Sequence, residues 1–221
     1  NDISCIIIEP IQGEGGDNHF RPEFFKTLRQ LCDENEILFI LDEVQTGVGI
    51  TGKMWAHEHY GIKPDIMSFG KKAQVCGLLC GDRIREVENN VFSESSRINS
   101  TFGGNLVDML RFKIILEIID RENLIDNARD AGDYLLKEII NFSNEFPAYV
   151  TNPRGKGLFC AFDLPSSIDR DLLVDNLIKD KLLILPSGSV SIRFRPHLNV
   201  TKSDIDKSIK IIFKNIKKLL K

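Results

Sequence analysis

The sequence has little that would bind it to a membrane or to nucleic acid. No apolar run approaches the ~18 residues of a membrane-spanning helix. The 29 Lys and Arg residues are outnumbered by 32 Asp and Glu, which gives a net charge of −3 at pH 7 and no general attraction to polyanions. The one basic run, Lys207 to Lys221, alternates with Ile, Phe and Leu, which favours an amphipathic terminal helix over a binding arm. We therefore expect neither a membrane nor a nucleic-acid partner.

The sequence also lacks paired cysteines. Its five cysteines are scattered through mostly apolar segments, and none forms a C-x-x-C motif. Cys76 and Cys80 have no second ligand pair, so we expect no metal site. An odd number of thiols in apolar surroundings is typical of reduced, buried cysteines. The pattern predicts a cytoplasmic protein.

The first half of the chain reads as α/β. Three short apolar runs are continuous rather than alternating: Cys5–Ile8, Ile37–Leu41 and Asp65–Phe69. Such runs are typical of strands buried on both faces of a parallel sheet. Pro22 opens a segment of helical spacing between the first two runs, so strand, helix and strand predict a right-handed βαβ unit. A short helix over 53–60 and a fourth strand over 77–81 are also predicted.

After Gly103-Gly104 the pattern becomes helical and then mixed. Helices are predicted over 106–123 and 124–146, and Pro147 follows the second. The remaining predicted elements are strands over 157–163, 182–185 and 190–195, and helices over 170–180 and 202–220. This half is predicted to end in a compact α+β unit.

The stretch ILFILDEVQTGVGITGKMW, Ile37 to Trp55, resembles two parts of an ATP site. Asp42-Glu43 ends an apolar strand, and Gly47 to Lys53 nearly spells a phosphate-binding loop, G-x-x-x-x-G-K-[ST]. However, Met54 replaces the hydroxyl that holds magnesium, and such a loop must follow its own strand directly. The same strand would have to lead directly into both motifs, which chain geometry does not allow. We therefore reject an ATP site.

Charged residues instead follow the ends of neighbouring strands, where parallel α/β sheets bind ligands. Asp42 ends one strand and Lys71 follows the next. A pyridoxal phosphate site needs these two groups, since a lysine forms the Schiff base and an acid keeps the ring nitrogen protonated. Gln45 could bond the phenolic oxygen. The stretch 100–105 has hydroxyls before a helix and is either a phosphate contact or a loop with a helix cap.

Five motifs occur in order along nearly the whole chain: EPIQGEGG, LDEVQTGVG, PDIMSFGKK, STFGGN and RFRP. Together they resemble the class III aminotransferases, the ω-aminotransferase branch of the fold type I pyridoxal phosphate enzymes. Four longer segments are most similar to members that act on the ε-amino group of L-lysine: GDNHFRPEFF, FGKKAQVCG, NSTFGGNLVDM and PRGKGLFCAFDLP. Relatives that use ornithine, acetylornithine or 4-aminobutyrate usually have a more glycine-rich stretch after the lysine.

The resemblance implies roles for five residues around the cofactor. Asp42 would pair with the pyridine nitrogen, Val44 would pack beneath the ring, and Gln45 would contact the phenolic oxygen. Lys71 would carry the Schiff base and later move the proton between substrate carbon and cofactor. Thr101 would reach the cofactor phosphate of the partner subunit, which places the active site at the interface of a homodimer.

Two further residues are implied to bind substrates, L-lysine in one half-reaction and 2-oxoglutarate in the other. Arg193 would bind the distal carboxylate of the oxoacid. Glu14, in the mobile-looking Gly13–Gly16 loop, would pair with Arg193 when lysine is bound. Glu14 as a solvated loop acid and Arg193 as a surface ion pair remain the alternatives. Arg195 is expected on the same face as Arg193, in a structural role.

For four other residues the simpler interpretation is favoured. Lys72 is expected at the surface or in an interface. His57 is two residues from His59 on a predicted helix, so the two side chains diverge and suit surface or packing roles. Trp55 is expected to pack rather than to stack on a cofactor.

The resemblance also implies the domain organisation. Residues 1–105 would be the C-terminal part of the cofactor-binding large domain, 106–146 connecting helices, and 147–221 a small C-terminal α+β domain. The family's phosphate loop, ring-stacking aromatic residue and α-carboxylate arginine are not found in the chain. We therefore expect an inactive fragment of a larger aminotransferase. The alternatives are another ω-aminotransferase, or a truncated module that assembles without catalysis.

Overall fold

The computed structural model describes residues 2–98 and 100–220, so that Asn1, Asn99 and Lys221 lie outside the described residues. In chain order the strands and helices are β1 (Cys5–Ile8), β2 (Ile11–Gln12), β3 (Asn18–His19), α1 (Pro22–Glu34), β4 (Leu38–Asp42), β5 (Ile66–Phe69), β6 (Gly77–Cys80), α2 (Leu106–Arg121), α3 (Leu124–Glu145), β7 (Thr151–Lys156), β8 (Phe159–Asp163), α4 (Ser167–Lys179), β9 (Leu185–Ser187), β10 (Ser191–Phe194) and α5 (Lys202–Leu219).

These elements form two compact units. The first contains the residues up to Pro10, Phe20–Val48 and Trp55–Glu122. The second contains Ile11–His19, Gly49–Met54 and the residues from Asn123 onward. The domain boundaries expected from the sequence stay a prediction.

The first unit is built on a four-stranded sheet in the order β1-β4-β5-β6. The strands β1, β4 and β5 are parallel, and β6 is antiparallel to β5. Helix α1 starts with Pro22 in its first turn and buries Phe25 and Cys32, which join Phe39 and Leu41 in one apolar core. The strand–helix–strand unit and the α/β class predicted from the sequence are confirmed.

One face of β1 differs from the expectation. The predicted burial of β1 on both faces is wrong, because Ile7 keeps 64% of its surface exposed. Strand β1 is at the edge of the sheet, with β4 as its one neighbour in that sheet. Helix α2 is also where the sequence predicts it, but Leu106, Met109 and Leu110 on its apolar face are exposed.

The second unit contains an antiparallel sheet in the order β7-β8-β10-β9 and the β2–β3 hairpin. Helix α3 packs on β7 and β8, α4 packs on β9 and β10, and α5 packs on α3 and α4. Strand β8 is buried almost throughout, and Phe159 and Phe162 join Leu135, Leu173 and Ile212 in the core. The α+β class predicted for the C-terminal residues is confirmed.

Several local predictions need correction. The helix predicted over 53–60 is a four-residue 3-10 turn, Ala56–His59. The strand predicted over 182–185 begins only at Leu185. Strands β2, β3 and β7 were not predicted. Of the thiols expected to be buried, Cys32 and Cys160 are buried, whereas Cys5 and Cys76 are exposed and Cys80 is intermediate.

Among the described residues there is neither a membrane-spanning helix nor a cluster of metal-ligating side chains. No helix among them is both long and apolar enough to cross a membrane. Within the same ranges, no group of three or more His, Cys, Asp or Glu side chains is placed to hold a metal ion.

Candidate active site

The Asp42 carboxylate is held at the carboxyl end of β4. Its Oδ1 accepts hydrogen bonds from Val44 N and from Ser68 Oγ, both at 3.0 Å. Ser68 is the register partner of Asp42 in the parallel neighbour β5, so its hydroxyl is placed by the strand pairing itself. Both bonds reach Oδ1, which leaves Oδ2 available to a ligand.

Lys71 follows β5 in a strained turn. It begins a 3-10 turn, Lys71–Ala73, after Gly70, and its φ of 50° is in the left-handed region. Gln74 closes the turn with a φ of 57°. A left-handed lysine is costly and such conformations cluster at functional sites. Its side chain is exposed.

Lys72 lies in the same turn. It is partly buried, and its Nζ donates a hydrogen bond of 2.6 Å to the carbonyl oxygen of Gln45. This bond joins Gln45, three residues after Asp42 at the end of β4, to the turn that carries Lys71.

The Glu43 side chain anchors the segment that follows β4. Its buried carboxylate accepts hydrogen bonds from Thr46 Oγ1, Ala56 N and His57 N at 2.7 to 2.9 Å. His57 Nδ1 also lies 2.9 Å from Glu43 Oε1. Burial, with a smaller contribution from the charge of Glu43, raises the pKa of Tyr60 to about 12. Tyr60 therefore stays a donor, to the Pro10 carbonyl at 3.0 Å.

The other predicted cofactor residues lie on the same unit. Val44 and Gln45 are partly buried directly after Asp42. Thr101 is exposed in the turn before α2, and the cap predicted there is present, since Asn105 Oδ1 accepts from Val107 N at 2.9 Å.

The packing roles predicted for Trp55 and His57 agree with the structure. The ring centroids of Trp55 and Phe69 are 6.2 Å apart. Trp55 also lies against Gly47, where an added Cβ would come within 2.4 Å of the indole. His57 contacts Glu43, as described above.

The two predicted substrate residues are together in the second unit. Arg193 lies on β10, and its Nη1 is 2.7 Å from Glu14 Oε2. The Arg193 side chain is 12% exposed and that of Glu14 is 76% exposed. The pair is thus open to solvent on the glutamate side, where a competing anion could reach the guanidinium.

Arg195 has a different partner from Arg193. Its Nη2 forms an ion pair with Oδ1 of the fully buried Asp17, and its Cζ lies 3.2 Å from the centroid of the Phe159 ring. Burial lowers the pKa of Arg195. Burial also raises the pKa of Asp17, against the opposing effect of Arg195. These contacts fit the structural role anticipated for Arg195.

Ser68, Asp17 and Arg154 were not predicted from the sequence. Ser68 could have been found by aligning the ends of β4 and β5, because neighbouring parallel strands present paired residues. Asp17 and Arg154 had no local signal, since Arg154 contacts residues 16 and 17 from more than 130 positions away.

Comparisons with known proteins identify the family of this chain. The profile of the family described as aminotransferase class-III matches residues 1–216. An L-lysine-epsilon aminotransferase of Mycobacterium bovis is 52% identical over 209 residues, which cover 95% of this chain and 46% of that protein. The L-lysine-epsilon aminotransferase of Amycolatopsis lactamdurans is 47% identical over 211 residues, 95% of this chain and 47% of that protein.

A solved structure shows the same likeness. The lysine aminotransferase from M. tuberculosis in the internal aldimine form superposes with a TM-score of 0.96 and 50% identity, over 99% of this chain and 50% of that one. This chain therefore spans about half the length of the relatives it matches. The likeness confirms the predicted fold class, the α/β fold of the fold type I transferases. On the strength of the family profile and these identities, the chain belongs to the class III aminotransferases.

Proposed function

We propose that this chain is part of a pyridoxal phosphate-dependent aminotransferase that moves the ε-amino group of L-lysine to 2-oxoglutarate, and that the chain by itself is inactive. The products are 2-aminoadipate 6-semialdehyde and L-glutamate. One structural observation carries the proposal: Asp42 and the turn of Lys71 follow neighbouring parallel strands at the same edge of the sheet. The identity of 52% to an L-lysine-epsilon aminotransferase supports the substrate.

The residues present fit pyridoxal phosphate. Asp42 offers Oδ2 while its other oxygen is fixed by Val44 N and Ser68 Oγ, so a ring nitrogen can approach a carboxylate that does not rotate. Lys71 has an exposed amine on a turn that is fastened by Lys72. When bound, the cofactor supplies the electron sink that stabilises a substrate carbanion.

The chain's own residues would act as follows. Asp42 would hold the proton at the pyridine nitrogen, which keeps the ring electron-withdrawing. Lys71 would attach the cofactor through Nζ, and its freed amine would move a proton at the substrate carbon. Val44 would pack beneath the ring and Gln45 would donate to the phenolic oxygen. Thr101 would bind the cofactor phosphate of a partner subunit, so that the proposed enzyme is a homodimer.

Glu14 and Arg193 would adapt the site to two substrates. A distal carboxylate of 2-oxoglutarate can replace Glu14 on the guanidinium in a bidentate contact. When L-lysine is bound, Glu14 would return to Arg193 and neutralise it. The observed pair, exposed on the glutamate side, supports such an exchange.

Borohydride reduction with added pyridoxal phosphate, followed by peptide mass mapping, tests the cofactor site. We expect a pyridoxyl group on Lys71 and none on the exposed Lys63. Asp42→Asn should weaken cofactor binding by at least tenfold without moving the adduct. Labelling spread evenly over surface lysines would contradict the proposal.

Turnover measurements on the larger aminotransferase that contains this chain test the amino donor. We expect L-lysine to be used faster than ornithine, acetylornithine or 4-aminobutyrate, with 2-oxoglutarate as acceptor. A preference for ornithine would favour another ω-aminotransferase. Failure to bind cofactor, together with a defined complex with a longer subunit, would favour a non-catalytic assembly module.

A further inference from the structure

The turn that carries Glu14 is closed by an unusual backbone. Strands β2 and β3 pair Gln12 with Asn18, and the amides of Gly16 and Asp17 both donate to the Gly13 carbonyl, at 3.4 and 3.2 Å. Gly16 and Asp17 have φ values of 120° and 52°. A glycine-rich turn of this kind has high conformational freedom unless other groups hold it.

Each carbonyl from residue 13 to residue 17 accepts a hydrogen bond. Two of the donors are on or after β9: Ser187 Oγ donates to Gly13 O at 2.7 Å, and Gly188 N donates to Glu14 O at 2.8 Å. Asn18 Nδ2 donates to Gly15 O at 3.1 Å. The backbone of Glu14 is thus fixed although its side chain is exposed.

Arg154 on β7 supplies the remaining two contacts. Its Nη2 donates to Gly16 O at 2.6 Å and its Nε donates to Asp17 O at 2.8 Å. The guanidinium is itself anchored, because Nη2 lies 2.8 Å from Asp163 Oδ1 and 2.9 Å from Ser191 Oγ. Ser191 is on β10, two residues from Arg193.

The other side of the turn is held by the ion pair of Asp17 with Arg195, the residue two positions after Arg193. Contact is also close at Gly188, where an added Cβ would come within 2.9 Å of Gly16 Cα. The turn is therefore docked directly on the sheet that carries Arg193.

We infer that Arg154 is a positioning residue, which with the Asp17–Arg195 pair fixes the turn so that Glu14 exchanges partners by side-chain rotation alone. The exchange of partners by Glu14 rests on the proposed function, whereas the fixed conformation of the turn does not. Without Arg154 the backbone of residues 16 and 17 loses two bonds. Glu14 then meets Arg193 less often, and Arg193 is left unpaired when the cationic substrate binds.

The test compares Arg154→Met with Lys156→Met, which removes an exposed side chain from the same strand. The first readout is hydrogen exchange of the amides of Gly16, Asp17 and Gly188 in the purified protein, resolved by NMR. We expect exchange to be at least tenfold faster in Arg154→Met and unchanged in Lys156→Met. Ser187→Ala removes one uncharged donor and should accelerate amide exchange less. Because this change is milder, it tests the turn even if Arg154→Met fails to fold.

The second readout is the KM for each substrate, measured in the larger aminotransferase that contains this chain. We expect Arg154→Met to raise the KM for L-lysine about tenfold and the KM for 2-oxoglutarate by less than twofold, because only the lysine half-reaction needs Glu14 on Arg193. Unchanged amide exchange in both Arg154→Met and Ser187→Ala would contradict the inference that these contacts fix the turn. Faster exchange with equal changes in both KM values would overturn the role for Glu14. Neither result affects the labelling test at Lys71, which decides the proposed function separately.

Discussion

The ammonium group of Lys72 donates to the backbone carbonyl of Gln45 at 2.6 Å. The bond ties the turn after β5 to the segment after β4. Because Lys71 lies in this turn and Asp42 directly precedes this segment, one hydrogen bond helps to set the distance between the proposed amine and acid of the cofactor site.

Replacing Lys72 by Met should therefore loosen the turn of Lys71. We expect about tenfold weaker binding of pyridoxal phosphate, the effect of losing one charge-assisted hydrogen bond of ~1.5 kcal/mol. Spectroscopic titration with the cofactor measures the change. Lys72→Arg keeps a donor and should recover part of the affinity, while Lys63→Met at an exposed position should not change it. Equal affinity for Lys72→Met and Lys63→Met would show that the bond has no positioning role.

Glu43 should contribute far more to stability than the nearby exposed Glu58. Glu43→Ala leaves the buried donors Thr46 Oγ1, Ala56 N and His57 N without their acceptor, and we expect a loss of about 3 kcal/mol or more. Glu58 accepts one bond, from Trp55 N at 2.8 Å, so Glu58→Ala should cost about 1 kcal/mol. Urea unfolding followed by circular dichroism measures both, and similar losses would contradict the assignment.

The elements that the sequence predicts well are those with local signals. Strands β4 and β5 are continuous apolar runs, and α1 has Pro22 at its start and a buried apolar face. Asp42 and Lys71 could be proposed because each follows such a strand. Strand β7, TNPRGK, could not be predicted, because Pro and Gly within a segment argue against a strand. Its register is also irregular between Thr151 and Arg154.

The turn of Glu14 shows the limit of local reasoning. Its three glycines favoured a mobile loop, but its carbonyls are bound by side chains and amides from β7 and from the region of β9. Arg154 is 138 positions from Gly16. A contact of that sequence separation depends on the tertiary fold and leaves no periodic or compositional signal in either segment.

Two glycines with similar φ angles should respond very differently to replacement by alanine. Gly157 and Gly61 have φ values of 52° and 64°, so both substitutions carry the same left-handed strain of about 1 to 2 kcal/mol. A Cβ on Gly157 would lie 2.4 Å from the carbonyl carbon of Thr51, whereas a Cβ on Gly61 meets nothing within 4 Å. We expect Gly157→Ala to lose a further ~1 to 3 kcal/mol, since backbone cannot move aside as a side chain can. Equal losses in urea unfolding would contradict this close approach.

Asp180, directly after α4, should make the stability depend on acid pH. Its Oδ2 accepts from Asn215 Nδ2 at 2.9 Å and from Lys214 Nζ at 3.1 Å. These hydrogen bonds, with that from Asn215 foremost, lower the pKa of Asp180 below its usual 3.8. A carboxyl whose pKa is lower in the folded state stabilises the fold above the unfolded pKa, and this stabilisation is lost as the pH falls through the folded pKa.

Asp180→Asn should therefore be less stable than the unmodified chain near neutral pH, and the difference should shrink below pH 3.8 and vanish below the lowered pKa. Urea unfolding at a series of pH values measures the difference directly. Asp175→Asn, at an exposed position of α4, is the matched control and should change stability by less than about 0.5 kcal/mol. The two donors Asn215 and Lys214 both favour the charged form of Asp180. If the stability difference for Asp180→Asn persisted unchanged at the lowest pH, the stabilising interaction would not depend on the ionised carboxylate, which would contradict this prediction.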